Sequence, residues 1–387
     1  MLKVPQLKGN YWGFCMSDRG AQPNAMTPRV WVISAYRAGE QSQLLALAEG
    51  LQLPYQIKPV RHRWQGGLIN LFRGTGLASL HPEDRAQFCA PWPDLVIAAG
   101  MKNEPVCRWI RAASGGQTRI VHVGRPWADP AQLDLVITTP QYRLPCRPNV
   151  IQNALTMHGV ARARLDRAVE MHRDRLAKLP APHIAVIMGG DGGPYRFGAT
   201  AARRLACQAS DLARSLGGSL LISSSARTPS EAVSMVAATV DVPHEFYRWR
   251  PHDPDNPYFA YLGFADHLVV SFDSISMLSE ACATGKPVYM FDLAKDHGVR
   301  ETTNVGRDTD LRAFGYRLLM RFGPQRLGRD IGLVHQRLLA EGKAHWLGEG
   351  LGKSGPFVGS PDLEQAAARI HQLLETPSST ALPFSSR

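Results

Sequence analysis

The chain reads as an α/β protein of two doubly wound, Rossmann-like domains, and three observations predict it. Short apolar runs alternate with helix-length stretches along most of the sequence. The runs are continuously apolar, which marks strands covered on both faces of a parallel sheet. At 387 residues the chain exceeds one ordinary core, and the alternation restarts after a charged stretch near its middle.

Residues 1–27 carry scattered Pro, Gly and Asn without periodicity and are expected to form a loose arm. Strands are then predicted at 29–35, 54–60, 94–100, 119–124 and 134–139, with helices over 41–51 and 104–114, so that 28–160 make the first domain. Residues 161–182 read as a charged, solvated linker helix with a narrow apolar stripe at Leu165, Val169 and Leu176. The alternation resumes with strands at 183–190, 219–225, 244–249, 267–272 and 287–292 and helices over 198–216, 229–239 and from 274, defining a second domain at 183–325. Further helices are expected near 309–322, 328–341 and 361–375, and residues 326–387 are read as C-terminal helices and tail crossing back toward the first domain. The last helix opens with Ser360 as N-cap and Pro361 in its first turn. No sequence repeat relates the halves, so their likeness is one of layers.

A formal charge of +11 and a pI near 9.6 point to an anionic partner: ligand phosphates, an anionic membrane surface or nucleic acid. No helix-turn-helix or RNA-binding signature accompanies the charge, so nucleic acid is not expected. The cysteines at Cys15, Cys89, Cys107, Cys146, Cys207 and Cys282 form no CxxC pair and no zinc-like cluster with histidine. They are read as buried thiols of a protein in a reducing cytoplasm. No stretch approaches the ~20 apolar residues of a membrane span, and the opening residues lack the apolar run of a signal peptide. A cytoplasmic chain, soluble or peripheral at a membrane, is expected.

The segment IMGGDGGPYRFG, 187–198, places Gly189, Gly190, Gly192 and Gly193 around Asp191 directly after a buried strand. Glycines there let the main chain approach a ligand and turn amides toward it, which suits a diphosphate; a plain flexible loop is the other reading. The spacing is neither that of a Walker A loop nor GxGxxG. In the first domain the corresponding turn, SAYRAGEQSQLL at 34–45, carries Arg37, Ala38, Gly39, Glu40 and Gln43. Ligands of parallel sheets bind outside the carboxyl ends of the strands, so both turns are expected to border one cleft. Glu40 serves there either as a general base toward an acceptor hydroxyl or as a charge favouring the helix N-terminus.

In SFDSISMLSEACATGKPVYMFD, 271–292, Asp273, Ser276, Glu280 and Thr284 recur at helical spacing along one face, with apolar side chains on the other. The polar stripe is expected to face away from the core. Ser274 and Ser276 offer first-turn hydroxyls and free N–H groups to phosphate, and Glu280 is placed to accept hydrogen bonds from the vicinal hydroxyls of a ribose.

The order Ser276, Glu280, Gly285, Pro287 resembles the sugar-nucleotide motif of GT-B glycosyltransferases, among them the lipid-linked N-acetylglucosaminyl transferase of peptidoglycan synthesis. That resemblance implies a ribose-binding role for Glu280, a diphosphate role for the turn at 189–193 and an acceptor-side role for the turn around Gly39. Where that enzyme often has His after the glycines, Glu40 stands here. A closer resemblance is to the mitochondrial-fission ELM family, carried by three pieces. They are RAGxxxQ (Arg37, Ala38, Gly39, Gln43), the glycines Gly189, Gly190 and Gly193, and SxSMxSEAxxTGKPV (Ser274, Ser276, Met277, Ser279, Glu280, Thr284, Gly285, Lys286, Pro287). This resemblance spans about residues 29–320 and implies a GT-B-like fold, two Rossmann-like domains facing each other across a cleft.

These readings point to metal-independent transfer of a sugar from a nucleoside-diphosphate sugar to a hydroxyl acceptor, lipid-linked or of the cell envelope. No cofactor is expected beyond that sugar nucleotide as substrate, and no DxD-like pair marks a metal site. The amides of 189–193 and the helix N-terminus at 274 would stabilise the departing diphosphate, with Arg37 or Arg196 adding positive charge. Two mixed basic and apolar segments, 61–74 and 312–329, suit either a lipid headgroup boundary or packing with arginines in water. The alternative function is a non-catalytic nucleotide-sugar-binding or membrane-associated scaffold.

Overall fold

The computed structural model describes residues 27–63, 75–192, 195–293 and 328–376. The expected arm, most of both basic segments, the helix near 309–322 and Gly193 lie outside the described residues.

The first domain is a parallel sheet of β1 (Val30–Ile33), β2 (Tyr55–Lys58), β3 (Leu95–Ala99), β4 (Arg119–Val123), β5 (Leu135–Thr138) and β6 (Val150–Gln152). Helices α1 (Ala38–Gly50), the short α2 (Pro82–Arg85) and α3 (Glu104–Ala113) connect its strands. Both faces are covered, which is why the strands read as unbroken apolar runs. Val30 and Val32 of β1 point into the core that holds Leu44 and Leu47 of α1, whereas Trp31 and Ile33 point into the core that holds Val106 and Ile110 of α3.

After α4 (Arg162–Leu176), the second domain runs β7 (His183–Ile187), α5 (Ala199–Leu216), β8 (Ser219–Ser223), α6 (Ser230–Thr239), β9 (His244–Tyr247) and α7 (Tyr258–Phe264). It continues with β10 (His267–Ser271), α8 (Ile275–Ala283), β11 (Val288–Phe291), α9 (Gly332–Ala340) and β12 (His345–Trp346). The expected α/β fold class is therefore the observed one. Strands β6 and β12, with three and two residues, are too short to show as apolar runs.

The sheet orders are β2-β1-β3-β4-β5-β6 and β12-β11-β10-β7-β8-β9. In each, the chain leaves its first strand in one direction and later returns to that strand's other side. The reversals lie between β1 and β3 and between β7 and β10, and such switch points open a crevice at the carboxyl ends of the strands.

Helix α4 departs from the solvated linker expected of it. Leu165 and Leu176 enter the second domain's core, and a side chain on Gly263 of α7 would collide with Val169 at 2.8 Å. Its stripe is narrow because it packs on one short helix. Helix α10 (Pro361–Glu375) returns to the first domain, where Ala366, Ala367 and Ile370 join the core shared with α1. Ser360 does occupy its N-cap position, but the hydroxyl makes no capping bond.

The crossing segments are pinned. The outgoing one donates Thr156 N–H and hydroxyl to Ser279 Oγ at 3.1 and 2.8 Å, and the backbone N–H groups of Ala154 and Leu155 to the Asp362 carboxylate. The returning one lies on the end of α8, where Gly355 N–H reaches the Gly285 carbonyl at 2.6 Å. Gly285 takes a left-handed φ of +74°, and a Cβ there would stand 2.1 Å from the Pro356 carbonyl oxygen. Lys286 donates to the carbonyls of Leu262 and Gly263 at the end of α7. The TGKP piece is thus explained by packing and capping.

Of the described cysteines, Cys107 and Cys282 are buried, while Cys89, Cys146 and Cys207 are exposed, against the expectation of buried thiols. Among the described residues no helix is long and apolar enough to cross a membrane.

Candidate functional site

At the first switch point the chain leaves β1 through Ser34–Arg37 and enters α1. Asn103 pins this rim by donating to the carbonyls of Ser34 and Ala99 at 2.9 and 3.1 Å, and Gln41 Oε1 accepts the Ala35 N–H at 2.7 Å. Arg37 is the N-cap residue and makes no side-chain cap. Ala38 is exposed, and Gln43 donates to the Gly39 carbonyl at 3.1 Å, so the RAGxxxQ piece holds the first turn of α1 together.

Glu40 projects from that turn toward β3. Its Oε1 lies 3.4 Å from Arg37 Nη1, while Oε2 is buried with no hydrogen-bond partner among the described residues. A Cβ on Gly100, just past β3, would stand 3.0 Å from that oxygen, and Gly100 has a left-handed φ of +80°. Burial pushes the Glu40 carboxyl above its ordinary value, against the pull of Arg37 and Arg329. Tyr36, half-exposed beside it, carries Arg37 and Lys102 at 5.2 and 5.4 Å from its ring centre.

The second switch point is tighter than the glycine pattern suggested. Gly189 N–H donates to Ser271 Oγ at 2.7 Å and Gly190 N–H to the Asp273 carboxylate at 3.1 Å. A Cβ on Gly189 would meet Asp273 Oδ1 at 2.4 Å, and one on Gly190 would meet the Arg227 carbonyl oxygen at 2.0 Å. These two glycines therefore admit neighbouring loops of the same domain, and their amides are spent there. Asp191 is exposed, accepts Phe197 N–H at 2.8 Å and pairs with Arg196 at 3.2 Å. Gly192 and Tyr195 exchange backbone hydrogen bonds at 3.1 Å.

The polar stripe of 273–284 is largely internal, which corrects the expectation that it faces away from the core. Asp273 is buried against Ser271, Gly190 and Arg227, and Thr284 donates to the Ala281 carbonyl at 2.7 Å. Glu280 is buried and accepts a hydrogen bond from the Tyr258 hydroxyl. Burial pushes its carboxyl up to about 7, opposed by that hydrogen bond and by Arg164. Ser276 and Met277 are half-buried, Met277 packing on the second domain's core. Ser274 is the N-cap residue of α8 yet makes no side-chain cap, so the first-turn N–H groups lack the usual side-chain acceptor.

The two switch points meet. A Cβ placed on Gly39 would lie 3.5 Å from Ser276 Cβ and 3.7 Å from its Oγ, so the opening turn of α1 faces that of α8. On one flank Arg143 pairs with Asp330, and Asp330 N–H donates to the Gln141 carbonyl at 2.8 Å. The structure thus brings Arg37, Gly39, Glu40, Ser274 and Ser276 to one seam and sets Glu280 deeper, beneath Tyr258. Arg227, Tyr258 and Tyr36 were not singled out from sequence. Arg227 had one available signal: it follows the strand next to the first strand of its domain, ahead of a helix. Among the described residues no group of three or more His, Cys, Asp or Glu side chains is arranged to hold a metal ion.

The family model described as Mitochondrial fission ELM1 matches residues 38–304, from the first residue of α1 through the whole of the second switch point. The chain belongs to that family. Within the ELM1 family, the Mitochondrial fission protein ELM1 of Arabidopsis thaliana is 28% identical over 253 residues, covering 60% of this chain and 56% of the plant protein. An uncharacterized protein, RP120, of Rickettsia prowazekii (strain Madrid E) is 31% identical over 115 residues, 28% of this chain and 32% of its own. The match therefore spans about half the length of the first relative and a third of the second. Among solved structures, the UDP-GlcNAc 2-epimerase of Methanocaldococcus jannaschii has a TM-score of 0.46 at 10% identity, covering 89% of this chain and 99% of its own. MurG of Acinetobacter baumannii scores 0.37 at 13% identity, covering 89% and 95%. The E. coli ADP-heptose LPS heptosyltransferase II scores 0.42 at 14%, covering 81% and 99%. With scores this low, the chemistry of the ELM1-family seam has to be read from its own residues.

Proposed function

We propose that the protein is a glycosyltransferase that takes a sugar from a nucleoside-diphosphate donor and delivers it to a hydroxyl of an acceptor held by the first domain. One observation carries the reading: the two switch points face each other, with Gly39 against Ser276. One side offers a buried carboxylate with an unpartnered oxygen, the other a helix N-terminus without a side-chain cap.

In this reading the diphosphate lies at the first turn of α8, bonded by the N–H groups of Ile275, Ser276 and Met277 and by the hydroxyls of Ser274 and Ser276. The Gly189–Gly192 stretch and Arg196 border it. Glu40 takes the proton of the acceptor hydroxyl, the acceptor oxygen bonds to the anomeric carbon, and the bond from that carbon to the diphosphate breaks. The charge left on the departing diphosphate is met by the α8 N-terminus. Glu280 binds the ribose by sharing its carboxylate between Tyr258 and the sugar hydroxyls. Arg37, Ala38, Gly39 and Gln43 shape the acceptor side. The net charge of +11 suits an acceptor that is lipid-linked or presented at an anionic membrane.

A second reading, a nucleotide-sugar-binding scaffold without turnover, is favoured by the internal use of the Gly189 and Gly190 amides and by the Tyr258 hydroxyl on Glu280. The plant relative's name, a mitochondrial fission protein, fits work at a membrane. A panel of uridine, guanosine and adenosine diphosphate sugars, incubated with lipid extracts and assayed for released nucleoside diphosphate, separates the two. Release that depends on acceptor supports transfer. Binding with no release removes it and leaves the scaffold.

A further inference from the structure

Arg227 lies in the turn between β8 and α6, clamped onto the glycine loop. Ser225 Oγ donates to the Gly189 carbonyl at 2.9 Å, and Thr228 Oγ1 lies 3.2 Å from the Met188 carbonyl. With its backbone held this way, Arg227 reaches over the switch point. Its Nη2 donates to Asp273 Oδ2 at 2.9 Å and its Nη1 to the Asp191 carbonyl at 3.2 Å.

The pair is one-sided. The Asp273 side chain is fully buried, with Ser271 Oγ and Gly190 N–H as further donors, whereas Arg227 is 44% exposed. Gly192 lies beside the cation, where a Cβ would come to 3.5 Å of Nη1. Asp273 immediately precedes Ser274, so the half-exposed guanidinium stands at the opening turn of α8. A planar fork of donors held from below by a buried carboxylate is suited to phosphate oxygens from above.

We propose that Arg227 grips the diphosphate of the ligand and that Asp273 competes with that diphosphate for the same guanidinium. This rests on the seam being a nucleoside-diphosphate site. It assigns opposite effects to the two members of one ion pair: losing the cation weakens anion binding, and neutralising the carboxylate strengthens it. An ion pair that only joins loops would not behave in this way.

The test is calorimetric titration of the full chain with inorganic pyrophosphate and with uridine, guanosine and adenosine diphosphates, in wild type, Arg227→Gln, Arg227→Lys and Asp273→Asn. Exposed Arg167 on α4, as Arg167→Gln, controls for net charge. Arg227→Gln is expected to weaken pyrophosphate binding about 10- to 100-fold, Arg227→Lys less, and Asp273→Asn to tighten it, with Arg167→Gln near wild type. Thermal melts of each variant without ligand are read alongside. If Arg227→Gln and Asp273→Asn weaken binding alike, in step with lowered melting temperatures, the pair is structural and the proposal fails. It fails too if wild type binds neither pyrophosphate nor any nucleoside diphosphate, or if nucleotides bind equally to Arg227→Gln. Pyrophosphate held through Arg227 with no gain from any nucleoside supports Arg227 and removes the nucleotide-site reading instead.

Discussion

Gly39 and Ser276 approach each other across the seam closely enough that a methyl group on the glycine would touch the serine at 3.5 Å without overlap. Each stands in the opening turn of a helix that follows a switch point. Gly39→Ala is therefore expected to keep the domains closed, and Gly39→Leu to force them apart. Small-angle scattering should give an increased radius of gyration for the leucine variant alone, with weakened binding of whichever nucleoside diphosphate stabilises the wild type.

Glu40 combines burial with an unpartnered oxygen. If it is the base, Glu40→Gln should lower kcat by about 100- to 10,000-fold while leaving donor affinity within a few-fold. Its carboxyl is raised by burial, so the rate should fall on the acid side at a pH above the ordinary glutamate range, and the glutamine variant should lose that limb. An equal fall in donor affinity would instead assign Glu40 to binding.

Glu280 makes the stability of the protein depend on pH in an unusual direction. Its carboxyl is raised from an ordinary 4.5 to about 7, so the folded chain holds a proton that the unfolded chain releases first. The resulting stabilisation is complete below pH 4.5 and is lost as pH rises through about 7. Glu280→Gln, which can still accept from Tyr258, should be more stable than wild type at pH 8 by about 1–3 kcal/mol and near equal at pH 4. Urea unfolding at the two pH values checks this. If the carboxylate also binds ribose, nucleotide affinity should rise with pH across the same interval in wild type and not in the variant.

Gly285 is required by its backbone and by its neighbour. Its φ is +74°, and a Cβ would come to 2.1 Å of the Pro356 carbonyl oxygen, which leaves no place for alanine. Gly285→Ala is expected to cost about 3 kcal/mol or more in urea unfolding, by adding left-handed strain to displacement of the returning segment. Gly342, also at positive φ but with open space around it, should lose less than half as much as alanine.

The succession of elements was legible from the residues alone, because burial on both faces demands unbroken apolar runs and helices of known length must join parallel strands. RVWVISA and HLVVSF could be little else, and the turns that follow such strands are where a switch point places function. Glu40 and Ser276 were singled out by that rule, and the turns that carry them face each other. What lies opposite a residue is not written in its neighbours. Asp273, Glu280 and Thr284 share a helical face whether that face meets water or a tyrosine, and only the tertiary fold, which brings the Tyr258 hydroxyl of α7 onto Glu280, decided for the tyrosine. Gly189 and Gly190 read as open turns for a ligand, yet the folded chain fills them with Asp273 and the Arg227 loop. Arg227 and Asp273 are 46 residues apart, and Gly190 and Asp273 are 83 apart. Periodicity reports on one helix or one strand at a time, so contacts at such separations are settled only when the sheet brings its strand ends together.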